Sequence, residues 1–343
     1  MNLTSMFKKV YLGKLTISEE APKFHQSSFE DIANKLRFKR CSEGMLRSIG
    51  FVHPMDDHIT DTGISYTVGD WFIFTIQMEE KKVSASEVNY ELQMIMNDIE
   101  KKEHRKLNKN EKAEYKEKIY EEKAKTAPST FSRYNLAFDK KGNLFVNTTS
   151  DKPLESIIEI LMRAFKEYFV DIRTGFFSEL PLAGTQLLKN MNAEIPDGVN
   201  LSLGSKGEGK RSGQKMSFNN IISDDKNILS MMKEYDLEVQ KIELYDVYNN
   251  APVSYYLSKK GVESIGITEE FKAMMDEKLQ DVSTEEEAVD VSLNTMFDML
   301  IQFHIEYFIF MKKVISFAGV NPDMFNQKFN DINELTKFLT PNQ

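Results

Sequence analysis

The run Gly204-Ser-Lys-Gly-Glu-Gly209-Lys210-Arg211 places two glycines and a lysine where a phosphate-cradling loop has them, in the order G-x-x-x-x-G-K-[ST]. Such a loop wraps phosphate oxygens in backbone N–H groups, and its Ser or Thr hydroxyl ligates magnesium. Arg211 occupies that last position, and a guanidinium cannot bind a cation. The following Ser212-Gly-Gln-Lys-Met-Ser217 is a poor start for the apolar helix that should face the phosphates. A degenerate phosphate-loop NTPase is therefore a weak alternative. The same stretch also reads as a flexible polar loop, or as a contact to a nucleic-acid backbone. For that contact, Lys206, Lys210, Arg211 and Lys215 are offset only by Glu208, on glycine-rich backbone that can approach a phosphate chain closely.

Other chemistries fare worse. His53, Asp56, Asp57, His58 and Asp61 cluster as metal ligands would, but no pair has the helical spacing of a zinc enzyme, and nearby Pro and Gly suggest a solvated loop. The five histidines form no nucleophile–base constellation, and Cys41 has no local signature of a catalytic thiol. Glu285-Glu-Glu287 reads as a solvated run. We expect no catalytic residue, no metal and no cofactor.

A second basic stretch runs from Lys101 to Lys125, with ten Lys/Arg against six Glu. It stands out in a chain of 343 residues with a formal net charge of -9. Net charge does not exclude nucleic acid, because segregation of charge decides binding. The span Glu263–Asp298 alone holds eleven Asp/Glu and two Lys, a balance of -9, so the remainder is neutral overall and can carry basic patches. One cysteine excludes an internal disulfide and fits a reducing compartment, and the N-terminus does not read as a secretory signal. A cytoplasmic protein is expected.

The elements that must position these residues follow an α+β pattern. Residues 6–16 read as a first strand. Ser28 stands three residues before Asp31 at the start of an amphipathic helix. Gly50–Met55 reads as a turn ahead of Pro54. Ile64–Val68 and Trp71–Met78 are strands joined at Gly69-Asp70. Ser84 opens a helix, Leu107–Asn110 breaks it, and a second helix ends at Ala127-Pro128. The apolar stripe of that second helix is too thin for a core helix. Phe131–Phe138 and Asn143–Asn147 form a hairpin, and Ser150 starts a further helix. From Gly184 to Gly213 the chain is glycine-rich and polar. A helix at 227–235 and strands at 237–246 and 253–257 precede the acidic span. Met296–Val320 is the most apolar run. Asp298, Gln302 and Glu306 repeat on it every four residues, which argues against a membrane span and for burial in a core or a dimer interface. Three regions result: 1–175 with a charged helical arm at 84–125, 176–262 with a glycine-rich loop and strands, and 263–343 with the acidic segment and apolar helix.

Four of these landmarks resemble a known family. Gly50-Phe-Val-His-Pro-Met55 is similar to the G-W-V-x-P-M turn of the recombination-associated RdgC proteins, with Phe51 in place of Trp. Glu79-Glu-Lys81 with Val83-Ser-Ala-Ser-Glu-Val88 resembles their E-E-K-x-[LV]-P-x-x-V, with Ser84 in place of Pro. Arg105–Lys112 is similar to R-K-L-K-K-x-E-K, and Phe131-Ser-Arg-Tyr134 to F-S-R-[FY]. Order and spacing agree over about 150 residues, and beyond residue 180 the likeness is thin.

The resemblance implies an elongated, curved subunit of mixed antiparallel sheets and helices, two of which close into a ring. It implies a non-enzymatic, nucleoid-associated protein that encircles double-stranded DNA without sequence preference and restrains a RecA-type recombinase. Phe131 and Arg133 would then lie at a ring-closing contact, with Phe303 and Phe310 as further dimer-interface candidates. Lys101, Lys102, Arg105, Lys106 and Lys109 become candidate DNA contacts beside the 204–215 group. A protein-interaction module that keeps the fold without binding DNA is the other alternative.

Overall fold

A computed structural model describes residues 6–42, 45–54, 63–192, 194–219, 230, 233, 234 and 236–317. Intrachain contacts group the chain into two compact units, each discontinuous in sequence. The first comprises residues 1–24, 67–73 and 135–343, the second residues 25–66 and 74–134. Both are α+β and built on antiparallel strands.

In the first unit, β1 (Tyr11–Ile17) lies between β6 (Asn143–Val146) and β7 (Phe169–Arg173), antiparallel to both. The end of β5 (Ser129–Asp139) pairs with β6 across the turn that contains Gly142. Gly142 has a φ of +84°, and a Cβ there would come within 2.3 Å of the Leu15 carbonyl oxygen. Lys14 is buried beside this turn and donates to Asn143 Oδ1 at 2.9 Å, while Asn143 donates to Asp139 at 2.7 Å. Five further strands form a second sheet, in the order β12 (Gly261–Ile267), β11 (Ala251–Ser258), β10 (Glu238–Tyr248), β8 (Ser202–Arg211), β9 (Gln214–Asn219). β10 turns into β11 through Asn249 and Asn250, both left-handed.

Among the described residues, the helices for which this unit has full bounds are α4 (Asp151–Ala164), α5 (Leu180–Lys189), α6 (Glu269–Leu279) and α7 (Glu285–Phe317). Most apolar side chains of the long α7 from Leu293 onward are buried. Phe297 packs on Phe7, Trp71 and Phe145, Phe303 stacks on Tyr255 with centroids 3.7 Å apart, and Phe310 lies 6.2 Å from Tyr307. Phe303 and Phe310 have no exposed surface. This corrects the expectation that they meet a second subunit: they are core residues of their own chain. The four-residue polar repeat is satisfied locally. Gln302 donates to the Val247 carbonyl at 3.0 Å, Glu306 accepts from the Asn200 side chain at 2.9 Å, and Asp298 is exposed. Among the described residues no helix is long and apolar enough to cross a membrane.

The second unit holds β2 (Arg47–Val52), the remainder of β4 (Trp71–Lys81) and of β5, and three helices, α1 (Gln26–Lys35), α2 (Ala85–Glu103) and α3 (Lys109–Thr126). β3 (Ser65–Val68) meets β4 across the expected Gly69-Asp70 turn. Two local readings need correction. α1 starts at Gln26 with His25 as its N-cap, so Ser28 sits inside the first turn and not at the cap. Gly50–Val52 is strand and not turn, paired with Gln77, Ile76 and Thr75. Gly50 is required because a Cβ there would lie 2.5 Å from the Phe38 backbone, which hydrogen-bonds to Phe51.

The charged arm is a helical hairpin, as its punctuation predicts. The Ser84 hydroxyl accepts from the Glu87 amide at the start of α2, and left-handed His104 ends it. Asn108 and Glu111 form a capping box at the start of α3. Lys123 and Glu91 bridge the two helices at 2.5 Å. The expected helix at 227–235 falls largely outside the described residues, as do Asp56, Asp57, His58 and Asp61.

Candidate nucleic-acid interface

The Gly204–Arg211 run is neither a loop nor the entrance to a helix. It is most of strand β8, which turns straight into β9. The two turn residues, Ser212 and Gly213, both have positive φ (45° and 90°), the requirement of the tight hairpin turn that matches strand twist. The glycines serve packing. A Cβ on Gly207 would meet the Phe218 ring at 2.2 Å, and one on Gly209 would meet Leu237 at 2.3 Å. Gly184 packs the same way, as a helical residue of α5 against Val239. Three conclusions from the glycine content are thereby corrected: the stretch is not a flexible loop, its buried glycines are not offered to a phosphate chain, and the degenerate phosphate loop loses its required loop and helix.

What the hairpin does present is charge. Lys206, Lys210, Arg211 and Lys215 are all exposed. Lys210 and Lys215 stand directly opposite each other on the β8–β9 ladder. Like charges at that spacing repel, and a bound anion relieves the repulsion. Among the described residues no ion pair involves Lys206, Lys210 or Lys215. Glu208, on the same strand, is turned toward Lys241 of β10 at 3.5 Å. Lys241 also lies 5.7 Å from the Tyr256 ring centroid. Sequence reasoning passed over Lys241, because nothing local marks a residue that joins the group through strand pairing.

The arm presents its cations differently. Lys101, Lys102, Arg105, Lys106 and Lys109 are exposed around the joint between α2 and α3. Three of them are neutralised within the arm. Lys102 pairs with Asp98 at 2.8 Å, Arg105 with Glu103 at 2.6 Å and Glu111 at 2.7 Å, and Lys106 with Glu100 at 3.7 Å. The hydrogen bonds that Lys102 and Arg105 donate to these carboxylates raise the pKa of both. The excess of Lys/Arg in the arm therefore overstates the charge it offers to a partner.

Phe131 is 45 % exposed on β5. Arg40 lies over its ring, 5.4 Å from the centroid, and Phe38 meets it edge-on at 6.4 Å. The segment that carries Phe38 and Arg40 is fixed from two sides. Gly50 admits its backbone, and Glu79 of β4 accepts from the Cys41 amide at 2.7 Å and from the Ser129 hydroxyl at 2.6 Å. Arg133 donates to Gln77 at 2.9 Å. Three motifs far apart in sequence thus converge on one exposed aromatic. Arg40 and Phe38 carried no signal of their own.

These features define a class: an antiparallel α+β protein with a rigid basic hairpin, a charge-compensated helical arm and an exposed aromatic held by a buried carboxylate. Residues 7–175, just under half of the chain, match the family model described as "RdgC: Putative exonuclease, RdgC". The recombination-associated protein RdgC of Yersinia enterocolitica is 29% identical over 114 residues, which cover 33% of this chain and 34% of that protein. RdgC proteins of Yersinia pestis and Yersinia pseudotuberculosis match with the same figures. The match thus spans about a third of the length of these relatives. Among the described residues no three His, Cys, Asp or Glu side chains come together as metal ligands would.

Proposed function

We propose that this protein is a non-enzymatic, nucleoid-associated DNA-binding protein that encircles duplex DNA as a homodimeric ring and restrains RecA-type recombination. The observation that carries the reading is the match of residues 7–175 to the RdgC family model, beside relatives named as recombination-associated. The unneutralised Lys206, Lys210 and Lys215 support a phosphate-directed contact, which reads charge and not sequence. If about six phosphates are neutralised per ring, log affinity falls with log salt at a slope of about -5.

The test is an electrophoretic shift with linear, circular and single-stranded DNA of unrelated sequences at two salt concentrations. Strong salt dependence with little sequence preference is expected, and salt-independent or absent binding would favour a protein-interaction module. The family model's description favours one second reading, an exonuclease. The same DNA substrates incubated with magnesium or manganese separate the two, since shortening of labelled ends would establish cleavage.

A further inference from the structure

β7 ends its sheet: β1 pairs one side of it, and no described strand pairs the other. Its residues are not shielded, with Val170 61% exposed and Asp171 and Arg173 both exposed. An uncovered edge strand invites pairing with another chain unless it is blocked.

The hydrogen-bond phase of β7 follows from β1. The Leu15 amide donates to the Gly142 carbonyl, so Leu15 spends its backbone groups on the β6 side. Leu15 stands opposite Ile172, which makes them a non-hydrogen-bonded pair and turns the Ile172 N–H and C=O outward, to the open edge. Suppose a second copy of β7 pairs antiparallel about a two-fold axis at Ile172. The two Ile172 residues then exchange both backbone hydrogen bonds. Asp171 of each copy falls opposite Arg173 of the other, in the non-hydrogen-bonded positions where side chains come closest. Two equivalent carboxylate–guanidinium pairs form from one strand. Among the described residues neither Asp171 nor Arg173 makes an ion pair within its own chain.

We infer that β7 is a self-association edge, at which two copies join antiparallel about Ile172 with reciprocal Asp171–Arg173 pairs. The inference rests on the homodimer reading above and adds the strand that makes one contact. A pair of five-residue strands buries less than the ~1,200 Å² of a stable interface, so it acts with a second contact, as a closed ring supplies.

The test is a charge swap on the full chain, read by sedimentation across a concentration series. Asp171→Arg and Arg173→Asp should each weaken self-association by about tenfold, because both symmetric pairs become repulsive, and the double exchange should restore it. In a Cys41→Ser background, Ile172→Cys should cross-link on oxidation, since hydrogen-bonded pairs hold Cα atoms at about 5.5 Å. Asp171 and Arg173 are exposed, so unchanged melting of the single variants checks folding. A wild-type dimer whose single variants associate normally, or whose double exchange stays as weak as the singles, overturns the β7 contact alone. A wild type that is monomeric throughout overturns the homodimer reading and this inference together.

Discussion

The Ser129 hydroxyl on β5 donates to the Glu79 carboxylate on β4 at 2.6 Å, and the other carboxylate oxygen takes the Cys41 amide. Glu79 is 3 % exposed, and the Ser129 hydrogen bond is the main reason its carboxyl titrates below the usual range. Glu79→Ala leaves two donors without an acceptor. It should cost about 1.5–3 kcal/mol, measured by urea denaturation at neutral pH. Because the folded-state value is depressed, this stability is present above the unfolded carboxyl's pKa near 4.3 and is lost as pH falls through the folded value.

Two buried groups on other elements titrate in opposite senses. His304 is fully buried, with Nδ1 2.5 Å from the Leu300 carbonyl oxygen, and burial lowers its pKa to about 4. The unfolded chain binds that proton near pH 6.5, so stability falls as pH drops from there to about 4, by roughly 3 kcal/mol in all. Asp246 is 1 % exposed, and burial raises its pKa to about 6. Its contribution is fully present below pH ~3.9 and is lost as pH rises through 6, by a similar amount. The two slopes largely cancel between pH 4 and 6. Unfolding midpoints at pH 4.5, 5.5 and 7 should therefore steepen toward acid in Asp246→Asn and reverse slope in His304→Leu.

Phe131→Ala removes a ring that is nearly half exposed and rests on Arg40 and Phe38. Subunit melting should change by less than about 1 kcal/mol, while self-association and affinity for circular DNA fall. Wild-type mass in solution together with wild-type affinity for circles would remove Phe131 from the interface.

The hairpin and the arm should contribute unequally to DNA binding. Replacing Lys206, Lys210 and Arg211 with Ala should weaken duplex affinity uniformly across sequences and lower the salt slope by up to about 5, because a homodimer loses the three cations from both subunits. The matching triple change of Lys102, Arg105 and Lys106 should do less, because their carboxylate partners already neutralise them. Equal losses from the two sets, measured by salt titration, would contradict this ranking.

Where a residue's role is set by its neighbours in sequence, it could be read directly. Ser84, the Asn108–Glu111 box and the Gly69-Asp70 turn marked their elements correctly. Glycines misled where they answer to distant atoms: Gly50 yields to the Phe38 backbone, Gly207 to Phe218 and Gly209 to Leu237. Local rules read them as turns or slack. Phe303 and Phe310 misled for another reason, since an all-apolar helix face does not reveal whether its cover comes from the same chain or a partner. Arg40 and Lys241 reach their neighbourhoods only through tertiary pairing, which leaves no mark in their own stretches.

The two-residue turn at Ser212-Gly213 has a calorimetric consequence. A slack loop of the same composition would have to become ordered on meeting a phosphate chain, at about 1–2 kcal/mol of lost entropy per residue. Here ten residues of β8 and six of β9 are already fixed as a stiff strut when the polypeptide folds. Association through this hairpin should therefore carry the heat-capacity signature of a preformed surface and show no sign of folding coupled to binding.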